Sequence, residues 1–386
     1  MTCRTRRERG NVGIWAVLAF ATVTGFLALS VHAGRSYSNR VELQNAADAA
    51  ALAAAAQLDG TQVGIDAATQ AASQFGVAHC TENVTVGISA DDLTFGGWDR
   101  ASQTFTPISG RTAADLRSII AVQVRDARLA LPVDFGAFLG GSMSATVRSS
   151  AVAVGGGPCD DHCAFPGAFA DCMMVNPDGS LRCDERFYVL NNDWQDNLGL
   201  TSLDPTKPAS VPNVKAALSA CVETSADTPV PITNGNPIQP VFGSGNSSLA
   251  FPVEVVAPVV HAPDCITAHY ERCQGGNGNS PCTNAKFVGD MAIVGYVSII
   301  VCYVTGSNGS LAGWGSASTP EQAELWSECG SVPTLADFPG MPANQFPPKQ
   351  TIYLKQRCHW IDPGNRTNKA GCQSFGLWTS RSRLVQ

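Results

Sequence analysis

The chain has 386 residues, a formal net charge of −7, 15% charged residues and 14 cysteines. Such a length allows one large or two modest domains beside an N-terminal apolar segment. Residues 1–10 hold four arginines against one glutamate, so the remainder carries −10, and an acidic body has no electrostatic reason to bind nucleic acid.

The basic decapeptide MTCRTRRERG runs into an uncharged apolar stretch, Val12–Val31, of 20 residues. A helix of that length is about 30 Å long, the hydrocarbon thickness of a bilayer. Residues 12–31 are therefore expected to form a single transmembrane anchor. Arg4, Arg6, Arg7 and Arg9 favour keeping residues 1–11 as a cytoplasmic tail and sending the remainder out. Val31-His32-Ala33 also fits a small-x-small cleavage pattern, so release after Ala33 is the alternative, and both readings export the C-terminal part.

A polar joint, His32–Arg40, precedes the alanine-rich run VELQNAADAAALAAAAQLDG. Alanine, leucine, glutamine and glutamate without proline or glycine predict a helix over Arg35–Leu58, stopped by Asp59-Gly60. Residues 32–60 are expected to form a stalk helix continuing the anchor. Ala46, Ala50, Ala53 and Ala54 recur at helical spacing and leave a smooth face for a partner helix; packing on the chain's own domain is the other reading of that face. A second helix is predicted over Ile65–Phe75, ending at Gly76.

From Asn83 the period becomes two. NVTVGI, DLTFGGWD and QTFTPI alternate, with a turn at Asp99–Ser102. Ile119–Val124 and Ala145–Val154 are further strands, with Leu131–Gly141 a short helix or loop between them. Residues 61–154 thus form a small α+β module. Gly155-Gly156-Gly157-Pro158 marks a boundary, and residues 155–386 read as a Cys-rich, mostly β, loop-rich region. Its predicted strands are Arg186–Leu190, Leu249–Val256, Ala292–Val304 and Thr351–Gln356, with a short helix at Val211–Cys221. Met291–Val304 is apolar but short and β-branched, so it reads as buried strand rather than a second span. The fold class expected for the whole is α+β.

Cys3 lies before the anchor and Cys80 stands alone. Cys159, Cys163, Cys172, Cys183, Cys221, Cys265, Cys273, Cys282, Cys302, Cys329, Cys358 and Cys372 crowd the C-terminal region. In an exported chain they are disulfide candidates, and long loops such as Gln274–Asn284 would need such staples. Connectivity is not legible from sequence.

Motifs for chemistry are missing. There is no Gly-x-Ser-x-Gly, no His-Glu-x-x-His and no phosphate-binding loop, so no enzymatic activity and no cofactor are expected. Cys265, His269 and Cys273, with Cys282, have zinc-like spacing, as do Cys159, His162 and Cys163 more weakly; oxidation outside the cytoplasm is the simpler fate of both. Asn191–Asn197 gathers oxygen ligands of the kind calcium takes, but Asn and Asp are also ordinary turn formers. No metal is assigned.

ERGNVGIWAVLAF followed by LALSVHAGRSYSNRVELQNAADAAALAAAAQLDG resembles the N-terminal segment of TadG-like Flp (Tad) pilus-assembly proteins. FGGWDRASQTFTP and FGAFLGGSMSATVRSSAVAV are similar to the region C-terminal to the anchor in those proteins. The resemblance covers about the first 150 residues and makes residues 61–154 a pilin-like module. It departs from prepilins in having Trp15, not glutamate, five residues after Gly10, and it lacks an Asp-x-Ser-x-Ser motif. It implies a non-enzymatic, single-pass component of a Tad-type pilus or secretion apparatus in the bacterial inner membrane. The exported region would be periplasmic, and the partners would be other pilus-assembly or pseudopilin proteins. A secreted or surface-bound adhesin released after Ala33 is the rival reading.

Overall fold

The computed structural model describes residues 11–385, apart from 79, 82–83, 86, 134–142, 177, 191–197, 227, 234–240, 243–250, 262–288, 306–310, 313–318, 332–333, 338–342, 344–345, 347–350, 362–369 and 380–382. The N-terminal apolar segment and the alanine-rich run form one unbroken helix, α1 (Asn11–Ala55). It ends before Asp59-Gly60 because the chain tightens into a turn, with the amides of Gln57 and Leu58 donating to the carbonyls of Ala54 and Ala55. Asp59 then accepts from the amide and hydroxyl of Thr61 at 2.9 and 2.7 Å, and Gly60 takes φ +78°, open to glycine at little cost. The helix α2 (Gln62–Ala78) follows and passes through Gly76.

Strands β1 (Cys80–Thr81) and β2 (Val84–Thr85) pair with each other. Strands β3 (Leu93–Asp99), β4 (Thr104–Pro107), β5 (Ala121–Val133) and β6 (Met143–Val154) form an antiparallel sheet. The β3–β4 turn is held by Asp99, which accepts from the amides of Ala101 and Ser102 at 2.8 and 3.2 Å; these bonds lower its carboxyl pKa, the Ser102 bond most. A short helix, α3 (Ala113–Ser118), has a reciprocal cap between Thr112 and Asp115. Leu131–Val133, expected as helix or loop, instead close β5 as strand; residues 134–141 of that segment lie outside the described residues.

The second half of α1 belongs to this module's core. Leu43, Ala46, Ala47, Ala50, Ala51, Ala54, Ala55 and Leu58 pack in one buried cluster with Ile65, Ala68 and Ala72 of α2 and with Phe95, Val122, Val124, Ala151 and Ala153 of the sheet. Alanine here brings helix and sheet backbones close together, so the stretch of α1 from Leu43 to Ala55 packs on the chain's own module.

The C-terminal region opens with β7 (Gly157–Pro158), β8 (Asp160–His162), β9 (Gly167–Ala170), β10 (Arg186–Leu190), β11 (Leu198–Thr201), β12 (Glu223–Ser225) and β13 (Pro229–Thr233). Then come β14 (Val253–Val260), β15 (Gly289–Thr305), β16 (Leu311–Ala312), β17 (Thr351–Arg357), β18 (His359–Ile361), β19 (Ala370–Ser374), β20 (Leu377–Thr379) and β21 (Arg383–Leu384). The pairings β15–β13, β13–β11, β11–β9, β9–β14 and β14–β15 return on themselves and close a ring. The long apolar strand β15 is covered on both faces. Ile299 and Val301 join the main core with Phe169, Phe242 and Tyr296, while Ile300 and Cys302 join a second cluster under the helix Pro320–Cys329. That two-sided burial explains its unbroken hydrophobicity. Of the predicted strand Leu249–Val256, Val253–Val256 are strand within β14 (Val253–Val260), and residues 249–250 lie outside the described residues.

Finally β21 pairs with β6, so the first sheet runs β21-β6-β5-β3-β4. Everything from β7 to β20 is inserted between two adjacent strands of the first module's sheet.

Candidate functional site

The first half of α1 stands clear of the protein. Val12, Phe20 and Phe26 are 76%, 74% and 66% exposed, and Trp15, Leu27 and Val31 are exposed too. A row of large apolar side chains in water opposes the burial that drives folding; it is stable only when something apolar surrounds it. The few polar groups are already satisfied: the hydroxyls of Thr22, Thr24 and Ser30 donate to the carbonyls of Leu18, Phe20 and Phe26 at 2.7–2.8 Å. Such back-bonding is what a hydroxyl needs in hydrocarbon, where no water is present to pair it. Among the described residues this is the helix long and apolar enough to cross a membrane.

Past Val31 the surface changes character. His32, Arg35, Tyr37 and Arg40 follow within about three turns, and Tyr37 is 74% exposed, as suits an aromatic ring at a membrane–water interface. From Asn39 onward α1 enters its own module. Gln44 clamps it to β6: its Nε2 donates to the Ser150 carbonyl at 3.0 Å and to Asp48 at 2.7 Å, and the Ser149 hydroxyl donates to its Oε1. Anchor and folded domain therefore share one rigid helix.

Of the small-residue face considered for partner docking, Ala46, Ala50 and Ala54 are fully buried within the chain's own module, and Ala53 is half-buried. Their closest neighbours are α2 and the sheet.

The cysteines tie the inserted region to itself. Cys159 bonds Cys372, Cys163 bonds Cys221, Cys183 bonds Cys358 and Cys302 bonds Cys329; Cys172 is disulfide-bonded as well. Cys159 and Cys163, weighed with His162 as a metal cluster, are thus consumed by bridges to different partners. Cys265, His269, Cys273 and Cys282, and the oxygen-rich run Asn191–Asn197, lie outside the described residues, as does the side chain of Cys80. Among the described residues no three His, Cys, Asp or Glu side chains gather as a metal site.

Where the two halves meet there is a cleft of about 810 Å³ lined by Trp98, Asp99, Arg100, Arg117, Asp171 and His261. His261 Nδ1 lies 2.7 Å from Asp171. Burial lowers the Arg117 pKa, and the Asp171 charge opposes the shift. The Arg117 Nε is enclosed without a partner among the described groups. The sequence placed Trp98, Asp99 and Arg100 at the end of a strand and its turn, and the Thr112-x-x-Asp115 cap that starts α3 and positions Arg117 is readable too; that these meet Asp171 and His261 was not legible, because the lining comes from distant segments.

Residues 10–57 match the family described as putative Flp pilus-assembly TadE/G-like. The matched stretch is the anchor plus the core half of α1, and it ends two residues past that helix. No curated protein and no solved structure matches the chain.

Proposed function

We propose that this protein is a single-pass, non-catalytic component of a Tad/Flp-type pilus or secretion apparatus, with its N-terminus in the cytoplasm and its disulfide-bonded body outside. The observation that carries the reading is the two-part α1. The large apolar side chains of its N-terminal segment, Val12–Val31, are exposed, and its C-terminal half is core. Binding to lipid through one half therefore couples the body to the bilayer through a continuous helix, with no break between them. The four N-terminal arginines supply the orientation. The oxidised cysteines agree with an exported location, and the partial family match supplies the pilus context. Assembly partners are expected to be other pilus-assembly or pseudopilin proteins, met by the exported body. Retention of the anchor is favoured over an adhesin released after Ala33, because Ala33 and Gly34 sit in the middle of the unbroken helix.

A reporter fused after Gln386 of the full chain tests the topology. An enzyme that works only outside the cytoplasm should be active there. Activity of a cytoplasm-only reporter at the same position would overturn the reading.

A further inference from the structure

We infer that the cleft between the two halves is a binding site for a carboxylate carried on an apolar or aromatic body, with Arg117 as the cation that receives it. The cleft holds about 810 Å³, a size that takes a small organic ligand or the end of a peptide. Both halves build its walls. Trp98 and Arg100 come from the end of β3 and its turn, and Arg117 comes from α3. Across from them stand Asp171 and Val175 after β9, and His261 just past β14.

Arg117 carries the inference. A guanidinium has only donors to offer, and inside a protein they are ordinarily met by carboxylates or carbonyls. The nitrogens of Arg117 meet no acceptor among the described residues, and its Nε is enclosed from water as well. The stem is held in place, since a Cβ on Gly60 would lie 3.5 Å from its Cγ. The other charged groups on the walls are engaged. Asp99 accepts from the amides of its own turn, and Arg100 donates to the Cys372 Sγ at 3.3 Å. Asp171 accepts from the Cys172 amide at 2.9 Å and faces His261 Nδ1 at 2.7 Å. It acts on Arg117 by charge alone, against the burial that lowers the Arg117 pKa. The fold thus keeps a half-buried cation that no protein anion bonds, and such a group costs stability. A desolvated, unbonded charge in a cleft is the mark of a binding site.

The rest of the lining selects the ligand. A guanidinium fork matches a planar carboxylate with two parallel bonds. A doubly charged phosphate group suits the fork too, but it would stand among the carboxylates of Asp99 and Asp171 on the same walls, and like charges repel. A single negative charge is therefore preferred. Trp98, Ile120, Val175 and Val294 surround the charged groups with apolar surface, which suits an apolar or aromatic body behind the carboxylate. A small organic acid and the C-terminus of a polypeptide both present that chemistry. Gly60 follows the end of α1 remote from the apolar segment, so Arg117 beside it places the site on the part of the body away from the anchor.

Isothermal titration of the detergent-solubilised full chain is the test. The probes are N-acetyl-phenylalanine and its amide, the tripeptide N-acetyl-Ala-Ala-Phe with a free or an amidated C-terminus, and inorganic phosphate. Each free acid should bind at least about tenfold more tightly than its amide, the worth of a charge-assisted bond. A free tripeptide that binds more than about tenfold more tightly than N-acetyl-phenylalanine assigns the site to a polypeptide C-terminus, and equal affinities assign it to a small acid. Acid and amide binding alike, no heat from either, or phosphate binding more tightly than the acids overturns the inference. Arg117→Met separates a ligand role from a structural one. The variant should lose the preference for acid over amide. Without ligand it should melt no lower than the parent, because it removes a cation that nothing in the protein bonds. An acid preference that survives the substitution, or ligand-free melting several degrees below the parent, would show that Arg117 serves the fold and not a ligand.

Discussion

The carbonyl oxygen of Ala55 occupies the place where a side chain on Gly155 would begin: a Cβ built there would lie 1.9 Å from it. The end of α1 and the end of β6 are pressed backbone to backbone at that point. The next two glycines are as confined. Gly156 has φ +88°, and a Cβ on Gly157 would fall 2.7 Å from the Gln373 carbonyl of β19. The triple glycine is a buried crossing between the two halves of the body, and the Cys159–Cys372 bridge closes the inserted region just beyond it.

Gly155→Ala should therefore destabilise the protein by about 2 kcal/mol or more, since neither backbone can give way. The Gly155 amide is itself committed, donating to the Ile120 carbonyl at 2.8 Å. Gly87→Ala is the control, because its Cβ would meet nothing within 4 Å. Thermal unfolding of both variants decides it. A Gly155→Ala melt indistinguishable from the parent would mean the close approach is not there.

The alanine face of α1 yields a second expectation. Ala50 is fully buried in the cluster with α2 and the sheet. Ala50→Leu adds three carbons where there is no room, and should cost about 1–3 kcal/mol by overpacking. Were that face free for a partner, the substitution would leave the melting temperature untouched and affect assembly alone. Calorimetry on the detergent-solubilised full chain separates the two outcomes.

How far the sequence disclosed this arrangement depends on the range of the signal. Local patterns carried well: the apolar run of α1, the Asp99 turn, the helix at Val211–Ser219 and the strands at Arg186–Leu190 and Thr351–Arg357 fall where composition and period put them. Long-range closures did not. The return of Arg383–Leu384 to β6 makes the C-terminal region an insertion, and two residues carry no pattern that could announce it. The glycine run at 155–157 has a linker's composition and a core's burial, because glycine serves both flexibility and close approach. The alanines of α1 were equally ambiguous, since a small-residue face suits a partner helix or the chain's own sheet.

Acid pH should act on Asp204. Its carboxylate accepts from the Lys207 ammonium at 2.9 Å and from the Thr206 hydroxyl and amide at 2.6 and 2.9 Å. These contacts, the Lys207 bond foremost, hold its pKa down at about 2, against about 3.9 for an unfolded aspartate. The folded pKa is the lower one, so its contribution is fully present above about pH 4 and is lost as pH falls through about 2. The stability gap between the parent and Asp204→Asn should narrow over that window and be flat above it. A gap that persists unchanged down to pH 2 would show that the carboxylate charge is not what the loop uses.

The bridge between Cys302 and Cys329 should hold down one helix rather than the whole inserted region. Cys302 lies in the doubly covered strand β15, and Cys329 ends the helix Pro320–Cys329. Among the described residues the helix packs its apolar side in the small cluster with Ile300, Tyr303 and Tyr353, joined by Leu335 and Phe346, and Arg186 donates to the Cys329 carbonyl at 3.3 Å. Arg357 and Lys355 of β17 add partly exposed ion pairs to Glu328, at 2.9 and 3.5 Å, and such pairs contribute little singly. Closing a loop with a sequence separation of 27 should stabilise by about 3.5 kcal/mol in the chain-entropy model. Cys302→Ala with Cys329→Ala should lower stability by about that amount. Amide exchange should speed up first in residues 320–329, while the strands of the closed ring stay protected. Uniform acceleration across β9, β11, β13 and β14 would instead mean that the bridge braces the whole ring. Peptide mapping of the unreduced parent should recover Cys302 joined to Cys329, and recovery of either as a free thiol would remove the premise.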